Sequence, residues 1–302
     1  MKKLIIVTLL VIIIPFLVVK IFVPIDEIKF KNMTNNIIRV KDEQGNITEI
    51  PFEEYVKGVV AGEMPATFEE EALKAQAVAS RSYAMYQMEG SKDKDYDVLD
   101  TTTNQVYLTD EELKNNWKEE YPEKINKIKK AVAETKGEYL TYDGKVINAM
   151  FFSTSTGQTE NSEDVFVTAL PYLRSVASTW DEKSPVYTDT ATISLQDFYN
   201  KLSLPYNETL TVEITSQTAT GRIKTLKING TEFNGRDFAS KLSLRSNCFT
   251  ISQNEQNITI TTKGFGHGVG MSQYGANGMA KEGYDYKKIL KHYYSNTKIT
   301  KF

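Results

Sequence analysis

Apolar residues are concentrated at one end of this chain. Leu4 to Val19 carries no charge, Lys20 interrupts, and Ile21, Phe22 and Val23 resume before Pro24. A helix that crosses a bilayer needs about 20 apolar residues, and a terminal Lys can extend its ammonium to the headgroups. A cleaved secretory leader would have a shorter apolar core and small residues at its cleavage site. Neither feature follows the run here, so residues 1–24 are expected to form an uncleaved single-pass anchor. Lys2 and Lys3 favour a cytoplasmic N-terminus, with the rest of the chain outside the cell membrane.

Beyond a polar stalk at 25–36, the pattern changes from element to element. Ile37–Val40 and Ile47–Ile50 flank a turn containing Gly45, which predicts a hairpin. Pro51 and two Glu open a helix that ends near Ala61, before Gly62-Glu63-Met64-Pro65. Glu69–Met88 predicts a second helix, and its Ala72, Ala75, Ala79 and Ser82 let a neighbour approach closely, so it belongs at the centre. Residues 90–107 read as a loop with one short strand. Leu113–Lys136 reads as an amphipathic helix, and Glu138–Tyr142 and Lys145–Phe152 as strands joined by Asp143-Gly144. Further strands are predicted at 210–214, 222–228, 249–252 and 258–262. Helices are predicted at 194–202, 271–281 and 286–293. This is an α+β pattern with antiparallel hairpins and no βαβ alternation. It forms one domain over 37–302, with room for two lobes.

Composition narrows the function. Lys plus Arg number 36 against 39 Asp plus Glu, so no basic excess supports a nucleic-acid partner. One Cys, Cys248, cannot form an internal disulfide, and its apolar context suits a buried structural thiol.

Three segments can carry chemistry. In the first, Glu63 ends a helix beside Met64-Pro65. Such a residue is ordinarily solvated, but apolar surroundings raise a carboxyl pKa toward the range of a general acid. Arg81, on the next helix, can hold an anionic group or orient a carboxylate, or else make a surface ion pair with Glu70 or Glu71. The second segment is Phe151 to Asn161, where Ser153, Ser155 and Gln158 suit either a sugar-binding groove or a capped turn. In the third, Gly264, Gly266, Gly268 and Gly270 alternate around His267, ahead of Ser272, Gln273 and Tyr274. Alternating Gly leaves a strand nothing to pack but lets backbone approach another chain or a ligand. The bland reading is a tight loop with a structurally bonded His. A phosphate loop lacks its Lys-Ser/Thr, and there is neither a Gly-x-Ser-x-Gly elbow nor a His-Glu-x-x-His pair.

Taken together, these segments resemble one family. Tyr55–Pro65 with Glu71–Arg81, then Phe152–Asp164, then Gly264–Ala276 with Gly278-Met279-Ala280 and Ile289–Tyr294, are similar in order to the motifs of the stage II sporulation protein D family. The resemblance implies a lytic transglycosylase of peptidoglycan that works during engulfment. It would cleave MurNAc–GlcNAc bonds of peptide-free glycan strands and leave 1,6-anhydro-MurNAc ends. Its implied partners are a membrane-anchored amidase and a polytopic membrane scaffold.

The family's catalytic glutamate falls on Glu63 and its active-site arginine on Arg81. His267, Ser272, Gln273 and Tyr274 would line the glycan groove opposite Ser153, Ser155 and Gln158. Some members carry a Cys and a His in the middle motif associated with zinc. Both are missing here, so no metal site and no cofactor are expected. The related amidase enhancers contain this kind of domain without a settled catalytic role. A glycan-binding module that recruits or activates a wall amidase is therefore the rival reading.

Overall fold

The computed structural model describes residues 37–101 and 104–302. The expected anchor and stalk lie outside the described residues. Among the described residues no helix is long and apolar enough to cross a membrane.

Strands β1 (Ile37–Lys41) and β2 (Ile47–Pro51) form the expected hairpin, with Ile38, Val40 and Ile50 turned inward. Helix α1 (Phe52–Glu63) follows directly, and Pro51 sits one position before it. Helix α2 (Glu70–Gly90) is buried around its whole circumference from Ala72 to Ala84. Its Ala72, Ala75 and Ala79 have no exposed surface, which lets neighbouring elements pack close on several sides. It is the axis of the fold.

The expected helix 113–136 is two helices, α3 (Asp110–Trp117) and α4 (Tyr121–Glu134), joined by a short 3-10 turn. Pro122 explains the break. Its ring would meet the carbonyl of residue 118 in a continuous helix, and Lys118 instead takes φ 48°. The expected strand 145–152 is also interrupted. Lys145–Val146 pairs with β3 (Glu138–Tyr142), whereas Phe151–Phe152 leaves to pair in parallel with Met271–Ser272.

Two hydrophobic cores result. The larger surrounds α2 and draws on residues from Ile38 to Tyr294. The smaller contains Leu195, Phe198, Leu226, Phe238 and Ile258, all from one stretch of chain. That stretch, 188–263, builds two three-stranded antiparallel sheets and two helices. Strands 188–194 and 231–234 and helix Gly235–Lys241 within it were not expected from the sequence.

The glycine run carries the chain from the smaller core back to the larger one. Gly264, Gly266, Gly268 and Gly270 all have positive φ, between 72° and 99°. A Cβ on Gly270 would lie 2.0 Å from the Met150 carbonyl oxygen, and one on Gly268 would lie 2.9 Å from Arg222 Nε. The run threads between these groups, so left-handed backbone and missing side chains are both required. Arg222 marks the junction. It is fully buried, pairs with Glu160 at 3.3 Å, and donates to the Gly266 carbonyl at 2.8 Å.

Candidate active site

Helix α1 stops at Glu63 because Met64 is extended and Pro65 follows. Two glycines one turn apart, Gly58 and Gly62, leave a flat face on this helix. A Cβ on Gly62 would lie 2.9 Å from the Val106 carbonyl, and one on Gly58 2.4 Å from the Tyr107 ring. Segment 106–108 therefore lies against the helix, with the Leu108 N–H donating to the Gly58 carbonyl. That approach puts the Val106 N–H 2.7 Å from Glu63 Oε1. The other oxygen, Oε2, has no protein partner among the described residues. From the opposite side, the Gln273 amide donates to the Glu63 carbonyl at 2.9 Å, tying the closing motif to the opening one.

Glu63 lines a groove of about 750 Å³. Among the described residues that line it, Glu63 is the only carboxylate and Arg236 the only Lys or Arg. Burial raises the Glu63 pKa, and the Val106 N–H offsets part of that rise. Tyr83 lies in the same groove and accepts a hydrogen bond from the Asn104 amide. The other wall is aromatic. The His267 ring lies 5.6 Å from both Phe152 and Phe166, and the Arg236 guanidinium covers Phe166 at 5.4 Å. His267 Nδ1 accepts from the Val269 N–H, and the ring also bonds to the Phe151 backbone. Burial, with Arg222 and Arg236 nearby, pushes its pKa down to about 4, so the ring is neutral near pH 7. An aromatic wall and one protonatable carboxyl suit a carbohydrate chain and acid-assisted bond cleavage.

The sequence-derived candidates divide sharply. Glu63, Ser153, His267, Gln273 and Tyr274 come together in the groove. Arg81 does not. It is fully buried behind α1 and bound bidentately to Glu53, at 3.0 and 2.8 Å, with a third bond to the Glu138 carbonyl. Neither a substrate role nor a surface pair with Glu70 or Glu71 fits that position. Ser155 and Ser272 are also buried, and both hydroxyls donate to Asp181, at 2.7 and 2.5 Å. They join the middle and closing motifs from beneath the surface. Gln158 is exposed on a bridge to Ala177 and is not among the groove residues. Cys248 is a half-buried free thiol whose pKa burial raises.

Sequence reasoning missed Tyr83, Asn104, Val106, Phe166 and Arg236. Only the Gly58/Gly62 pair hinted that a backbone crosses α1. Nothing in the sequence identified that backbone.

Comparison with known proteins follows the same motifs. Residues 40–142 match the family model described as SpoIID, stage II sporulation protein. Stage II sporulation protein D of Bacillus subtilis (strain 168) is 48% identical over 260 residues, covering 84% of this chain and 76% of that protein. The protein of the same name from Bacillus amyloliquefaciens is also 48% identical over 260 residues, with the same coverage. An amidase enhancer of B. subtilis is 30% identical, covering 82% of this chain and 40% of its own length. With the motifs assembled around one groove and identity at this level across most of both chains, the protein belongs to the stage II sporulation protein D family, a family of sporulation.

Proposed function

We propose that this protein is a lytic transglycosylase of peptidoglycan, anchored in the cell membrane by residues 1–24, with Glu63 as its acid and base. One observation carries the reading. Among the described residues Glu63 is the single carboxyl of a mainly uncharged, aromatic groove, with a raised pKa and one oxygen fixed by the Val106 N–H.

The chemistry requires only that residue. Protonated Glu63 gives its proton to the glycosidic oxygen between MurNAc and GlcNAc as the C1–O bond breaks and an oxocarbenium-like centre forms. The MurNAc C6 hydroxyl then attacks C1, and its proton passes to the Glu63 carboxylate. The products are a free GlcNAc 4-hydroxyl and a 1,6-anhydro-MurNAc end, and the acid is restored without water. Hydrolysis would place a second carboxylate across the bond to act as base or nucleophile. The Val106 N–H opposes the rise that burial causes, which suits a group that must both give and take a proton.

The same reading assigns the protein to peptide-free strands during engulfment, alongside a membrane-anchored amidase and a polytopic scaffold. The test is to incubate peptide-free strands with the wild-type protein and with Glu63→Gln, and to resolve the ends by mass spectrometry. Anhydro ends from the wild type alone support the reading. Equal yields from both proteins would remove Glu63 as the acid. Binding without any product from either would favour the amidase-recruiting module.

A further inference from the structure

The chain has six arginines, and five of them are neutralised within the protein. Arg39 pairs with Asp97, Arg81 with Glu53, Arg174 with Glu163, Arg222 with Glu160 and Arg245 with Asp189. Arg236 has no carboxylate partner among the described residues, and it is the one that lines the groove.

Its side chain is nonetheless held in place. Nη1 donates to the Val165 carbonyl at 2.8 Å, and the guanidinium lies over the Phe166 ring. Nε and Nη2 have no protein partner among the described residues. A planar guanidinium with one edge free is suited to bidentate pairing with a carboxylate. Among the described residues no side chain supplies that carboxylate, so the groove's occupant is the candidate source.

Glycan chemistry narrows the source to one group. The hydroxyls and acetamides of a MurNAc–GlcNAc strand are neutral. The lactyl ether of MurNAc is a neutral amide while it carries a peptide and becomes a carboxylate once that amide is hydrolysed. We infer that Arg236 is the specificity-determining residue of the groove, pairing with the lactyl carboxylate of a peptide-free MurNAc. This inference rests on the peptidoglycan reading above and adds how a stripped strand is distinguished from a peptide-bearing one. A strand with its peptides attached presents a neutral amide at the lactyl position, and binding it there would cover Arg236 without a counter-charge at that point.

Binding can be measured separately from cleavage by using full-length protein in detergent with Glu63→Gln in the background. Two probes are needed: peptide-free strands, and the same strands with their lactyl carboxylates coupled to methylamine. Charge-assisted bonds of this kind predict about 10- to 100-fold weaker binding of the methylamide strands. Adding Arg236→Gln should cost a similar factor on carboxylate strands and abolish the difference between the two probes. Arg236→Lys should restore part of it. No binding of peptide-free strands, equal affinity for both probes, or a discrimination that survives Arg236→Gln would each overturn the inference. Because Arg236 is exposed, an unchanged melting temperature for Arg236→Gln separates lost recognition from lost folding. Wild-type cleavage of peptide-free strands is assayed in parallel. An absence of anhydro ends would count against the transglycosylase reading alone, since the binding comparison decides Arg236 independently.

Discussion

Removing Arg81 should damage the fold before it affects the groove. Its guanidinium and the Glu53 carboxylate are both fully buried and joined by two bonds, at 3.0 and 2.8 Å. Arg81→Met deletes the charge and leaves Glu53 buried with only the Gly137 N–H as a remaining donor. It also strips the Glu138 carbonyl of its 2.8 Å partner. Breaking a buried pair from one side costs about 3–5 kcal/mol, because the surviving charge has lost its solvation and its partner together. For a chain of this size about 1 kcal/mol corresponds to about 2 °C, so the melting temperature should fall by about 6–10 °C. Thermal unfolding followed by circular dichroism measures this directly. The double variant Glu53→Leu/Arg81→Met, which replaces both charges with apolar groups, should recover most of the loss. A melting temperature unchanged within about 1 °C for Arg81→Met, together with lost glycan binding, would refute this reasoning and return Arg81 to the substrate.

Three further outcomes follow from the groove and the glycine run. Glu63 has a folded pKa above its ordinary 4.5, so as pH rises past that value the unfolded chain releases its proton first and the fold loses stability. Glu63→Gln should therefore match the wild type below about pH 4 and exceed it near neutrality in denaturant titrations, and a pH-independent difference would contradict the raised pKa. His267 should stay neutral from about pH 6 to 8 and protonate only near pH 4, read from its imidazole NMR shifts, so that stability declines as pH falls from 6.5 toward 4. An ordinary titration near 6.5 would count against its half-buried, backbone-bonded position. Finally, Gly270→Ala should cost about 3 kcal/mol or more in urea unfolding, from left-handed strain plus the clash with Met150. Gly230→Ala shares the positive φ but meets nothing within 4 Å, and should cost only about 1–2 kcal/mol. Equal costs would show that the close approach of the run to Met150 is unimportant.

Elements with strong local signals were legible in the sequence. The Gly45 hairpin, the Ala-rich α2 and the Asp143-Gly144 turn all appear where their residues predict them. Signals that depend on a distant partner were read less well. The stretch 145–152 reads as one strand, yet its last two residues pair more than a hundred residues away with Met271–Ser272. The helix 113–136 broke at a proline whose effect is local, and that break was available in the sequence. Strand 188–194 has a weakly alternating pattern with few inward side chains, so periodicity alone could not find it.

The site shows the same division. Sequence alone determined the α+β class, the acidic residue at the end of α1 and the glycine run that no ordinary strand could use. Each of these depends on covalent geometry or on neighbours within a few positions. Only the tertiary structure decided which polar residues face the groove. Ser153 and Ser155 are two positions apart, yet one lines the groove and the other is buried against Asp181. Arg81 and Arg236 are chemically identical, yet among the described residues one has its counter-charge and the other has none. Burial and pairing depend on what the folded chain places opposite a side chain, and here that partner lies 28 residues away for Arg81 and 26 for Ser155.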